Sequence, residues 1–230
     1  MEVGLVGFSG GGKTTVFSAL TGVRAPVGFQ QGQTEKVHLG VIKVPDARLD
    51  TLVKFYGSRK MAPAEVRFAD LPGRGGAARN ALDPGLIAQM RDVDAFALVV
   101  RAFEDAAGEP PAPVQEFRAF LDELVLADLA VVEKRLERLK KEKASEQELR
   151  LLKKCNEALD GGRQLRHIGL RADEESALAH FAFVSLKPLL IVLNVAEADI
   201  ESPLPSEFKE AAEAERAVAM AVCGQVEMEV

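Results

Sequence analysis

One octapeptide near the start of the chain restricts its fold more than any bulk property does. Gly7-Phe8-Ser9-Gly10-Gly11-Gly12-Lys13-Thr14 matches the spacing G-x-x-x-x-G-K-[ST]. The apolar run from Glu2 to Gly7 reads as a buried strand, and Lys13–Leu20 reads as a helix. Between them the backbone must come close to an anion, because consecutive N–H groups converge on a hollow of phosphate size and glycine leaves room for the approach. Lys13 supplies a point charge for β- and γ-phosphates, and the Thr14 hydroxyl suits Mg²⁺. A glycine-rich turn that binds nothing is the alternative. The strand–loop–helix context at the start of an α/β pattern favours the phosphate reading.

Further along, Val37–Val44 reads as a strand with His38 its odd polar member. A short helix starts at Pro45-Asp46, with Leu49, Leu52, Val53 and Tyr56 on one face and Gly57 to close it. Glu65–Ala69 alternates as a third strand ending at Asp70, Gly73–Ala81 reads as a mobile loop, and a helix near Leu86–Arg91 leads to the strand Ala95–Arg101. Glu109-Pro110-Pro111-Ala112-Pro113 cannot sustain a helix and marks a boundary. Val125, Leu129, Val132, Leu136 and Leu139 then form a seam at steps of four and three, with charges between them. Ser145 and Glu148 have capping-box spacing for a returning helix whose seam is Leu149, Leu152, Asn156 and Leu159. Pro113–Asp160 is thus expected to be an antiparallel helical hairpin, followed by a helix over about Asp173–Phe181. Leu189–Leu193 and Ala217–Val222 read as strands flanking a polar helix at Ser206–Ala214. Strands alternating with helices give an α/β P-loop NTPase fold, a G-domain with a mostly parallel sheet. Its expected extents are 1–111 and 185–230, with an α-helical coiled-coil domain inserted at 112–184.

Two further motifs gain meaning from the first. Asp70-Leu71-Pro72-Gly73 follows the third strand, where switch proteins of this class place a carboxylate that reaches Mg²⁺ through water and a glycine whose N–H reaches the γ-phosphate. Asn194-Val195-Ala196-Glu197 follows Leu189–Leu193, where GTPases carry N-K-x-D. Glu197 sets its oxygens about one bond farther out than Asp would, which spoils a bidentate fit to guanine, whereas an Asn amide both accepts from and donates to adenine. A helix-capping Asn is the alternative.

Composition narrows the class. The net charge of −6 argues against a general polyanion binder, and 47% hydrophobic residues suffice for one sizeable core. Cys155 and Cys223 match no metal-ligand or redox spacing, so two free thiols in a reducing cytoplasm are expected. No apolar run approaches the roughly 20 residues of a membrane helix, and no signal peptide is read at the start.

With these motifs placed, the sequence resembles the YchF family, an Obg-related branch of the translation-factor GTPase class. The resemblance runs through Val3–Gly7, Gly40–Asp50, Val99–Asp105, Leu126–Leu129, Val132–Leu136 and the N-x-x-E at Asn194–Glu197. It implies a G-domain with an inserted coiled coil, ATP binding and hydrolysis in preference to GTP, and association with the ribosome. By position, Ser9, Gly10, Gly11, Gly12, Lys13, Thr14 and Thr15 would cradle the phosphates, and Thr34 would close on Mg²⁺. Asn194, Val195 and Glu197 would flank the base, with Cys223 in the last base-contacting loop. The family pattern has Pro-Asn where this chain has Ser9-Gly10, so potassium-assisted catalysis is not expected. Pro72 and Arg74 also depart from its D-x-A-G-L. Arg74 reads as a surface arginine, with an internal arginine finger as the alternative. The family continues into a C-terminal TGS domain, which these 230 residues are expected to lack.

The reading is a slow Mg²⁺-dependent ATPase switch in which Lys13, Thr34 and the Gly73 N–H serve the γ-phosphate, since no residue is an obvious general base. The alternatives are a GTP-specific enzyme of the same fold and a non-hydrolysing interaction module. The basic run Lys134–Lys143 on the hairpin alternates with glutamates, as a solvated face does; contact with ribosomal RNA is its functional alternative.

Overall fold

The computed structural model describes residues 1–23, 37–57, 60–71, 82–105, 107–141 and 145–229. The expected Thr34, Gly73, Pro72 and Arg74 lie outside them. The strands are β1 (Glu2–Val6), β2 (His38–Lys43), β3 (Glu65–Asp70), β4 (Ala95–Ala102), β5 (Leu189–Val195) and β6 (Val218–Val222). They form one sheet in the order β2-β3-β1-β4-β5-β6. All neighbours are parallel except β2, which runs antiparallel to β3, so the sheet is mixed at that edge.

Its helices are α1 (Lys13–Thr21), α2 (Ala47–Tyr56), α3 (Pro84–Asp92), α4 (Pro113–Leu139), α5 (Glu146–Asp160), α6 (Ala172–Leu178), α7 (Ser206–Ala214) and α8 (Gly224–Glu227). Short 3₁₀ turns lie at Leu165–His167, Ala179–Phe181, Val184–Leu186 and Glu197–Asp199. The helix expected near Asp173–Phe181 therefore ends at Leu178 and tightens into a 3₁₀ turn. The chain then reverses at Ala182, which has φ 48°.

Two-residue periodicity sorts each central strand between two cores. Phe96, Leu98 and Val100 of β4 face a cluster with Leu86, Met90, Phe117, Phe120 and Phe208. Ala97 and Val99 face the opposite cluster with Val16 and Phe17 of α1. A third cluster lies along the hairpin: Val132 and Leu139 of α4 meet Leu151, Leu152, Cys155 and Leu159 of α5, together with Leu165, Leu178 and Phe183. Helix α4 belongs to both sides, with Phe117, Phe120, Leu121 and Leu124 in the sheet core and Val125 onward in the hairpin core.

The capping box expected at Ser145 is not made. The Ser145 side chain caps nothing, and the Glu148 carboxylate instead takes the Arg135 guanidinium at 2.8 Å, tying α5 to α4. A charged cross-hairpin donor is a stronger partner than a backbone N–H that solvent also serves. Helix α2 differs from expectation in another way. Its apolar face forms, but none of its residues is buried, and Phe55 and Tyr56 are 80% and 73% exposed. Among the described residues no helix is long and apolar enough to cross a membrane.

Candidate nucleotide site

β1 lies between β3 and β4, so its carboxyl end opens on the crevice where the connections diverge to the two sides. The loop Gly7–Gly12 occupies that end and feeds straight into α1. Three of its glycines have positive φ: Gly7 at 139°, Gly10 at 85° and Gly12 at 84°. Two of them could not be anything else. A Cβ on Gly7 would come within 2.4 Å of the Val99 carbonyl, and one on Gly12 within 2.1 Å of Asn194 Nδ2. Gly12 is also the N-cap of α1, so the first-turn N–H groups of that helix face the loop.

Lys13 is buried, and its ammonium donates to the Phe8 carbonyl at 3.0 Å, crossing over the loop. Ser9 and Gly10 are exposed, Gly11 is buried, and Thr14 and Thr15 are half-buried. Thr14 Oγ1 donates to Asp70 Oδ2 at 2.8 Å. Asp70 closes β3 and is itself buried, yet its Oδ1 has no hydrogen-bond partner among the described residues. A buried carboxylate oxygen left without a donor is costly for a fold to keep. A threonine hydroxyl beside it completes a pair of hard oxygen donors, the chemistry that suits Mg²⁺.

On the other side of the loop, Asn194 and Val195 belong to β5 rather than following it, and both are buried. The Asn194 amide donates to the Gly11 carbonyl at 3.0 Å, and its Oδ1 accepts the Gly224 N–H at 3.0 Å. It braces the phosphate loop against the start of α8, because a buried amide beside two unpaired backbone groups satisfies those first. Glu197 is exposed in the 3₁₀ turn that follows. Cys223 is buried as the N-cap residue of α8, with its side chain in the sheet core. The structure thus brings Gly12, Asn194 and Gly224 together, and it leaves Glu197 at the rim.

Phe103 was missed as a site residue. A Cβ on Gly12 would lie 4.0 Å from its ring, which places that ring beside both Gly12 and Asn194. Arg101 holds this segment by donating to the carbonyls of Phe103 (3.0 Å) and Glu109 (3.1 Å). Glu116 stands 3.4 Å from the Arg101 guanidinium. Burial pushes the Glu116 carboxyl up, and the Arg101 charge pulls it back. The only signal in the sequence was the run Val99–Asp105, which carried resemblance but no chemistry of its own. His167 faces Glu215 at 2.9 Å. No cluster of His, Cys, Asp and Glu of metal-binding size occurs among the described residues.

Known proteins resemble this chain in sequence and in fold. The family described as "50S ribosome-binding GTPase" matches residues 2–134, more than half of the chain. Proteins named "Ribosome-binding ATPase YchF" match along the whole chain. That of Haemophilus ducreyi is 32% identical and that of Escherichia coli O157:H7 30%, the chain spanning 66% of each. The one from Bacillus subtilis is 29% identical, with 67% of its length spanned. Among solved structures, the Schizosaccharomyces pombe YchF GTPase superposes with a TM-score of 0.83 over all of this chain and 67% of its own, at 22% identity. That likeness shows the fold, a P-loop G-domain. With its phosphate loop, its Thr14–Asp70 pair and these relatives, the chain belongs to the 50S ribosome-binding GTPase family and, within it, to the YchF family.

Proposed function

We propose that this chain binds a nucleoside triphosphate with Mg²⁺ at the Gly7–Thr15 loop, hydrolyses it slowly, and serves as a cytoplasmic switch that works with the ribosome. The observation that carries the reading is the buried Asp70 Oδ1 without a donor among the described residues, beside the Thr14 hydroxyl at the mouth of a loop shaped for phosphate. Thr14 and Asp70 are the residues that would hold Mg²⁺, with Thr34 added in the closed state. When bound, the ion neutralises charge on the β- and γ-oxygens. Lys13 and the N–H groups of Gly10 to Thr15 then hold the phosphate tail, and the Gly73 N–H reaches the γ-phosphate. Asn194, Val195, Glu197 and the Cys223 loop would flank the base, with the Phe103 ring near Gly12.

ATP is the preferred substrate in this reading. Glu197 stands where an Asp would accept both guanine donors, and the curated relatives carry ATPase in their names. A GTP-specific enzyme is the second reading, favoured by the names of the matching family and of the fission-yeast structure. Residues 112–184 form the inserted arm in this proposal, and the ribosome or its RNA meets the exposed basic side chains Lys134, Arg138, Lys140 and Lys141.

Competition of ATP and GTP for a fluorescent analogue in millimolar Mg²⁺ tests the proposal. ATP should bind more tightly, and Lys13→Ala should weaken binding by roughly 30- to 150-fold, about the worth of a charge-assisted contact. Tighter GTP binding would reverse the substrate assignment. Equal binding by Lys13→Ala would remove the site.

A further inference from the structure

Helix α4 meets the sheet domain at three places, the first of them at the phosphate loop. Phe120 is fully buried and takes the Phe8 ring edge-on, with centroids 5.8 Å apart and planes at 74°. Phe8 is the loop residue whose carbonyl receives the Lys13 ammonium. One turn on, Glu123 Oε2 accepts the Leu82 N–H at 3.0 Å. Leu82 shares the sheet core with Leu71, the neighbour of Asp70. Just over a turn farther, Asp128 is wholly buried and accepts the N–H groups of Val184 (3.1 Å) and Ser185 (2.7 Å). The Arg91 guanidinium stands 3.3 Å from it, at the end of α3, and also donates to the carbonyls of Phe181 and Ala182.

Beyond Asp128 the same helix becomes one arm of the hairpin. It spans 27 residues, and no Pro or Gly interrupts Val114–Leu139. A helix of that length is about 40 Å long and has no kink site. Close packing at Phe120 leaves little slack, so a displacement of Phe8 or Leu82 is carried along the axis to the tip.

We propose that α4 couples the phosphate loop to the hairpin tip, with Phe120 and Glu123 as positioning residues that hold Phe8 and Leu82. The proposal rests on the nucleotide-binding reading above. Because coupling between sites is reciprocal, a partner seated on the hairpin changes nucleotide affinity by the same factor by which nucleotide changes partner affinity.

Amide hydrogen exchange on the full chain, read by mass spectrometry across 125–139 and 146–160, tests it in two arms. In the first, Mg²⁺ with AMP-PNP or GMP-PNP is added. In wild type the bound analogue should change hairpin exchange at least threefold. Glu123→Ala should bind the analogue without that response. Glu123→Gln, whose amide oxygen still accepts the Leu82 N–H, should respond as wild type does. A full response in Glu123→Ala, or none in wild type with analogue bound, overturns the coupling. The second arm contains no nucleotide. Phe8→Ala should change hairpin exchange at least threefold while β2 and β3 exchange as in wild type, and an unchanged hairpin overturns the proposal. If neither analogue binds wild type, the nucleotide reading falls, and the second arm alone decides the coupling.

Discussion

Gly12 shows how little freedom a single position in the loop has. Its φ of 84° is open to glycine and strained for any other residue, and an added methyl would collide with Asn194 Nδ2. The Asn194 amide holds Gly11 and Gly224 at once. Gly12→Ala is therefore expected to cost about 1–3 kcal/mol of strain and to loosen the brace as well. Chemical denaturation together with analogue titration checks this, the expected outcome being a lower unfolding midpoint and loss of binding. Wild-type affinity in Gly12→Ala would mean that the brace is not needed. The glycine spacing was plain in the sequence because the loop is contiguous. The partner of Gly12 was not, because Asn194 lies 182 positions away and reaches it only once β5 stands beside β4.

At the scale of elements, α5 and α2 are a matched contrast. Both show an apolar stripe at helical spacing, so periodicity alone gives them the same expectation. Leu152 of α5 is fully buried against α4, whereas in α2 Leu49 and Val53 are only half-buried. Leu152→Ala should cost about 2–5 kcal/mol, the range for a buried leucine that leaves a cavity. Phe55→Ser on α2 should change stability by no more than about 0.5 kcal/mol, as at an ordinary surface position. Urea unfolding of both variants checks the pair, and equal losses would mean that α2 has a covered face in solution. The Asp46 cap and the Gly57 close of α2 are local devices, and both were legible in advance. What covers an apolar stripe is a tertiary matter that periodicity does not contain.

For the molecule as a whole, Cys155 links stability to pH. It is wholly buried in the hairpin core, and that burial pushes its thiol from 9.0 to about 11. Lys154 lowers it slightly, while Asp128 and Glu174 add to the rise. The sign follows from the native state holding the proton more tightly than the unfolded chain does. Stability from this group is intact below about pH 9, where both states are protonated, and it is lost as the pH climbs toward about 11. Urea midpoints at pH 8 and pH 10.5 should differ more in wild type than in Cys155→Ala, and an equal drop in the two would rule this contribution out. At pH 8 neither buried cysteine of the native protein should react with iodoacetamide, since reagent has no access to either thiol.

Contiguous signals were readable without coordinates: the phosphate loop, Asp70 after its strand, the two seams of the hairpin and the polar helix at Ser206–Ala214 each depend on near neighbours in the chain. Coordinates were needed for the antiparallel β2 edge, the diversion of Glu148 to Arg135, the capture of Asn194 by Gly11 and Gly224, and the seat of Phe103 beside Gly12. The reason is one of range. Backbone shape and helical period are written in local sterics, whereas a polar side chain goes to the partner that most needs it once distant strands have closed around it.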